Sequence, residues 1–166
     1  MQKPRWLDSY SGESAEELIA LESEYGIVSL ILAFEQAVDQ KAEREGSDSL
    51  SDVEKIILAV EALEREVNNG GFSQFFINSS REYAPMIVEA LLRIGCKETA
   101  ALAREAVEAL HLPSLTDQAI NAAMQEDDEV RDKELSRIDR LYFDGNEPIA
   151  QRLFDFIKAN RAAVKI

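Results

Sequence analysis

Residues 51–67 read Ser51-Asp52-Val53-Glu54-Lys55-Ile56-Ile57-Leu58-Ala59-Val60-Glu61-Ala62-Leu63-Glu64-Arg65-Glu66-Val67. Val53, Ile56, Ile57, Val60, Leu63, Glu64 and Val67 recur at the spacing that gathers side chains on one face of an α-helix, and all but Glu64 are apolar. Ser51, with Glu54 three residues on, forms a capping box in which each side chain satisfies a backbone N–H at the first helical turn. The stretch predicts a long helix with one buried face, and most of the chain follows the same period.

The chain has 166 residues with only 7 Gly and 4 Pro, and alternating strand patterns are scarce. The reading is all-α: one domain over residues 1–166, a multi-helix bundle of about eight helices. Upstream of the quoted stretch, Ser14 opens a short amphipathic helix. After Gly26, a longer central helix carries Ile27, Val28, Ile31, Leu32, Phe34 and Val38, and the Gly-, Ser- and Asp-containing residues 45–51 form a loop. Downstream, helices over 84–94 and 97–110 make an αα-hairpin joined at Gly95, a residue suited to the left-handed position that ends a helix. Pro113 stops the second of these and Thr116 starts a short one. Asp127 or Asp128 caps the next, which ends at Asp144-Gly145-Asn146, and Pro148 opens the last.

Residues 66–78 are unlike ordinary helix: Glu66-Val67-Asn68-Asn69-Gly70-Gly71-Phe72-Ser73-Gln74-Phe75-Phe76-Ile77-Asn78. Asn68, Asn69, Gly70 and Gly71 read as a helix stop with φ > 0, where a valine at either glycine would be an outlier. Phe72, Phe75 and Phe76 make one apolar face of a short helix that plugs the space beside the long one. Glu66, Asn68, Asn69, Gln74 and Asn78 then fasten helix ends, because buried turns need partners for their backbone groups. The alternative is a small-molecule-binding or enzymatic domain with a polar pocket around Glu66, Asn68, Gln74 and Asn78. Farther along, Asp139 and Tyr142 lie i and i+3 on one helix, and the expectation is a structural pair fastened to the glycine turn.

Glu66–Phe76 and Asn78-Ser79-Ser80, with Ala90–Gly95 and Ile138–Phe143, resemble the signature of the DNA mimic protein 19 family over about residues 66–156. The first fifty residues, an acidic helical part, show no such likeness, and Arg81 stands where the family has Gly after the serines. The resemblance implies a mostly helical fold and self-association, as in a homodimer. Its name comes from an acidic member that imitates DNA toward a DNA-binding regulator.

Charge favours the same class. With 32 Asp and Glu against 18 Lys and Arg the formal charge is −14, so direct binding of nucleic acid or anionic lipid is opposed over most of the surface. Residues 1–50 hold 11 acids and 4 bases, half of that net charge. Glu35, Asp39 and Glu43 fall at i, i+4 and i+8, about 6 Å apart along a helix axis, on a face expected to be exposed. Glu45 and Asp48 continue this row into the loop, and Glu13 and Glu17 make a shorter one. These carboxylates are the candidate phosphate-like surface for a protein partner, a basic DNA-binding regulator; the bland alternative is a solvated acidic surface. In the last third, Glu129 with Lys133, Asp128 with Arg131 and Glu134 with Arg137 are expected to pair locally.

No catalytic or metal motif is found. His111, the single histidine, stands at a helix end, and neither Cys-x-x-Cys nor Glu-x-x-His occurs. No cofactor is expected, nor an enzyme. Cys96 is alone, no secretory leader opens the chain, and apolar residues 27–34 fall short of the roughly 20 that span a bilayer, so the expectation is a cytoplasmic protein without a membrane partner.

Overall fold

The computed structural model describes residues 3–166. Among these, the regular structure is eight α-helices and four short 3-10 turns, with one isolated bridge between Arg5 and Tyr25, so the all-α reading is borne out. The helices are α1 (Ala15–Ala20), α2 (Ile27–Glu45), α3 (Asp52–Ile77), α4 (Ile87–Arg93), α5 (Lys97–Glu108), α6 (Asp117–Gln125), α7 (Glu129–Asp144) and α8 (Ile149–Ala159). Their starts follow the caps read from the sequence. Ser14, Thr116 and Asp128 each accept a hydrogen bond from a backbone N–H in the first turn. Ser51 Oγ accepts from Glu54 N at 3.1 Å while the Glu54 carboxylate accepts from Ser51 N at 2.8 Å.

Two boundaries differ from expectation. α4 starts at Ile87 rather than near Ala84, because Ser79–Tyr83 winds as a 3-10 turn and Pro85 brings no N–H to a helical ladder. The first segment of α3 runs slightly past Val67, and the expected stop and short second helix are found: the non-helical backbone of Gly70 and Gly71 separates it from a segment that continues through Ile77. The expected positive φ falls on Gly71 alone, at 74°; Gly70, at −158°, has no left-handed φ, but a Cβ there would meet the Gln74 side chain.

Contacts gather in two compact units. The first is the chain up to Glu61 with Pro148–Ile166. Its core includes Leu18, Leu30, Phe34, Ile57, Leu153 and Phe154, all fully buried, and Phe34 meets Phe154 edge to face at 6.5 Å between ring centres. Each such side chain contributes roughly 1.5–3 kcal/mol by leaving water. Inside this unit the Lys41 ammonium donates to both oxygens of Glu54 at 2.9 Å, with Glu54 wholly buried. Glu54 also accepts from Lys165 N at 2.7 Å, and Ser51 Oγ donates to the Ala163 carbonyl at 2.7 Å. The residue that caps α3 therefore also holds the C-terminal segment.

The second unit is Ala62–Glu147. α4 and α5 form the expected hairpin, closed by Cys96 N donating to the Leu91 carbonyl at 2.8 Å across Gly95 at φ 85°. α5 packs on α7, where the Arg137 guanidinium reaches both Glu105 and, at 2.6 Å, Glu134. The N-terminus of α5 is capped from a distance by Glu147, whose carboxylate accepts from the backbone and hydroxyl of Thr99, both at 2.7 Å. Arg131 is buried at the start of α7 and donates to the carbonyls of Ala123 and Glu126, fastening the end of α6.

Candidate functional site

The interruption in α3 is built from residues of the second unit alone. Gly71 takes the left-handed turn, and the chain re-enters a helix at Phe72, whose N–H is the kind of free donor every helix start carries. Asp139 of α7 supplies the acceptor: its Oδ1 takes Phe72 N at 2.8 Å. The same carboxylate fills the space that a Cβ on Gly71 would need. Burial raises the Asp139 carboxyl above its ordinary range, and the hydrogen bond from Phe72 offsets only part of that. Tyr142, one turn on, lays its ring edge-on to Phe72 at 6.0 Å, and its buried hydroxyl has no hydrogen-bond partner. Asp139 and Tyr142 thus both serve the glycine turn, the first by hydrogen bond and the second by packing.

Glu66 is the second anchor. It is 8% exposed, and its Oε2 accepts from Gln74 Nε2 and from Asn78 Nδ2, each at 2.8 Å, while Oε1 accepts from Ser80 Oγ at 3.0 Å. Burial alone would raise this carboxyl, but the hydrogen bonds of Gln74, Asn78 and Ser80, helped by the charge of Arg65, hold it below its ordinary value. Phe72, Phe75 and Phe76 are fully buried, which matches the aromatic plug. Asn68 does not join the cluster. It is exposed and returns its Nδ2 to the Glu64 carbonyl at 2.7 Å, a helix-end contact, and Asn69 is exposed beside it. The four-residue pocket around Glu66 is therefore corrected to Glu66, Gln74, Asn78 and Ser80, which bond to one another.

Glu64, the one polar residue of the helical stripe, has a carboxylate oxygen buried without a partner, and burial pushes its pKa up to about 7. The stripe itself was the signal for it.

The acidic rows, in the first unit, are only partly as expected. Glu35 is buried at 8% exposure, whereas Asp39, Glu43, Glu45 and Asp48 are exposed. The row turns with the helix: four residues advance it by about 40° beyond one full turn, so a line of i, i+4, i+8 positions drifts from the apolar side outward. Glu35 lies among buried Phe34, Ala37 and Val38, and the expectation of three exposed carboxylates fails there. Glu13 and Glu17 do not share a helical face either, because α1 begins at Ala15. The Ser11 hydroxyl and backbone N–H both donate to Glu13, and the backbone N–H and hydroxyl of Ser14 to Glu17; these bonds lower both carboxyls. Glu17 is the returning half of the Ser14 capping box, and Glu13 closes a local turn with Ser11. Of the pairs expected in the last third, Lys133 meets Glu129 at 3.6 Å and Arg137 meets Glu134, but Arg131 turns to Asp132 at 2.8 Å because Asp128 is occupied as the cap of α7.

No group of His, Cys, Asp and Glu among the described residues is arranged to hold a metal ion, and none of their helices is long and apolar enough to cross a membrane.

The chain is thus all-helical, with an interrupted α3 whose second segment is fastened by the carboxylates of Asp139 and Glu66. The chain belongs to the family described as DMP19-like protein, whose model matches residues 48–160. That span contains every residue of the glycine turn and both its anchors, and leaves most of the acidic N-terminal part outside. No curated protein and no solved structure matches the chain.

Proposed function

We propose that this protein is an acidic interaction module that occupies the DNA-binding surface of a basic regulator. The observation that carries the reading is the exposed run Asp39, Glu43, Glu45 and Asp48 at the end of α2, in a chain of net charge −14 that belongs to the DMP19-like family. Such carboxylates act on a basic partner as phosphates do, by charge attraction that speeds encounter and fixes orientation. Glu66 and Asp139 serve a different end. Their oxygens are engaged in holding the second segment of α3, which favours a structural role for the family motif over a ligand pocket.

The test is capture from the native cell extract followed by competition. The expected partner is a DNA-binding protein whose complex weakens steeply as salt is raised and is displaced by DNA carrying its own site. Changing Asp39, Glu43 and Asp48 together to Lys is expected to abolish capture with helical content unchanged, since all three are exposed. Glu35 is left out because a lysine there would be buried. If DNA and this protein bind the partner simultaneously, mimicry is wrong.

A further inference from the structure

Beyond that reading, the glycine turn holds an exposed Asn-Gly pair. The chain has six asparagines, Asn68, Asn69, Asn78, Asn121, Asn146 and Asn160, and Asn69 alone is followed by glycine. That neighbour matters because an asparagine amide is thermolabile when the next backbone nitrogen can reach it, and glycine carries no side chain to hinder the approach. Three of the other asparagines are tied down: Asn68 donates its amide to the Glu64 carbonyl, Asn78 to the Glu66 carboxylate and Asn160 to the Phe156 carbonyl. The Asn69 side chain is exposed and makes no hydrogen bond among the described residues. Asn69 also precedes the point where the backbone leaves helical geometry, at Gly70 and Gly71, and helix ends fray. The related pair Asp144-Gly145 differs, since its Gly145 N–H donates to the Tyr142 carbonyl at 3.2 Å.

We infer that Asn69 is a site of spontaneous deamidation in the folded protein and that its isoaspartyl product unfastens the glycine turn. The Gly70 nitrogen attacks Cγ of Asn69 and gives up its proton, the bond from Cγ to the side-chain nitrogen breaks, and ammonia leaves a five-membered imide. Water then opens the ring. Breaking the ring bond to Cγ gives aspartate; breaking the ring bond to the backbone carbonyl carbon gives isoaspartate, whose main chain runs through Cβ and Cγ. One water is consumed and one ammonia released, and the new carboxyl passes its proton to the ammonia. Both products put a negative charge at the C-terminal end of the first segment of α3, where the helix dipole opposes it. Isoaspartate also adds a main-chain atom directly before two glycines that have no slack. A Cβ at Gly70 would meet the Gln74 side chain, and the Asp139 carboxylate fills the space at Gly71 while it accepts Phe72 N at 2.8 Å. The longer path moves Gly71 out of register with Asp139, and the cap on Phe72 is lost.

The intact protein is aged in warm, mildly alkaline buffer and digested for mass mapping, with methylation by an isoaspartyl methyltransferase as the readout of isoaspartate. Conversion is expected at residue 69 ahead of the other asparagines. Asn69→Gln, at an exposed position, should abolish it with helical content unchanged, because the longer side chain would have to close a six-membered ring. Fresh Asn69→Asp carries the new charge without the extra main-chain atom, so the isoaspartyl fraction, separated by ion exchange, should unfold at a lower urea concentration than that variant. No conversion at Asn69, earlier conversion at another asparagine, undiminished methylation in Asn69→Gln, or equal urea midpoints for the isoaspartyl fraction and Asn69→Asp would each overturn the inference.

Discussion

The Asp139 carboxylate occupies the place where a side chain on Gly71 would begin, and from there it accepts the N–H of Phe72. One contact thus explains both Gly71 and Asp139, although they stand far apart in sequence.

Gly71→Ala is expected to destabilise the protein by about 2–4 kcal/mol, combining left-handed backbone strain with displacement of the cap. Asp139→Ala should cost about 1–2 kcal/mol by loss of the cap alone, and Asp139→Asn less, since its amide oxygen still accepts from Phe72. Urea unfolding of the double variant should show less than the sum of the single effects, because the alanine at 71 no longer meets a carboxylate.

Glu66→Ala leaves the side-chain donors of Gln74, Asn78 and Ser80 without their common acceptor. A loss of roughly 2–3 kcal/mol is expected in the same measurement. Because folding lowers the Glu66 pKa, its contribution is present above the unfolded carboxyl value and is lost as pH falls through the folded one.

Glu64 behaves in the opposite sense. Its carboxyl is raised from 4.5 to about 7, so the folded state binds more protons between those values and stability falls as pH rises across that window. Glu64→Gln removes the penalty. Thermal melts should show parent and variant close together near the lower limit, and the variant more stable by roughly 1–3 kcal/mol above the upper one.

Lys41→Met should cost about 3–5 kcal/mol, because it strands the buried Glu54 carboxylate rather than removing a pair. The comparison is the double variant Lys41→Met with Glu54→Gln, which should recover part of the loss.

Local signals carried most of the fold into the sequence. The capping residues Ser14, Ser51, Thr116 and Asp128 name their helix starts because a cap acts within one turn. The aromatic spacing of Phe72, Phe75 and Phe76 identified a buried face by the same kind of short-range rule. Asp139 was expected at the glycine turn and is found there; what escaped were the partnerships of Glu147 with Thr99 and of Glu54 with Lys41 and Lys165. Any carboxylate satisfies an N–H equally well on paper, and only the folded chain selects one. Glu35 shows the complementary failure, a charge assigned to the surface by spacing although the helix turns it among apolar neighbours.

The cap on Phe72 comes from a residue 67 positions later in the chain. During synthesis, at about 5–20 residues per second, the three phenylalanines leave the ribosome roughly 3–13 s before the carboxylate that secures their helix. For that interval the nascent chain displays a sticky aromatic segment with no completed fold to receive it, so slowing translation between the codons for Phe76 and Asp139 should raise the demand for chaperones that shield hydrophobic chains.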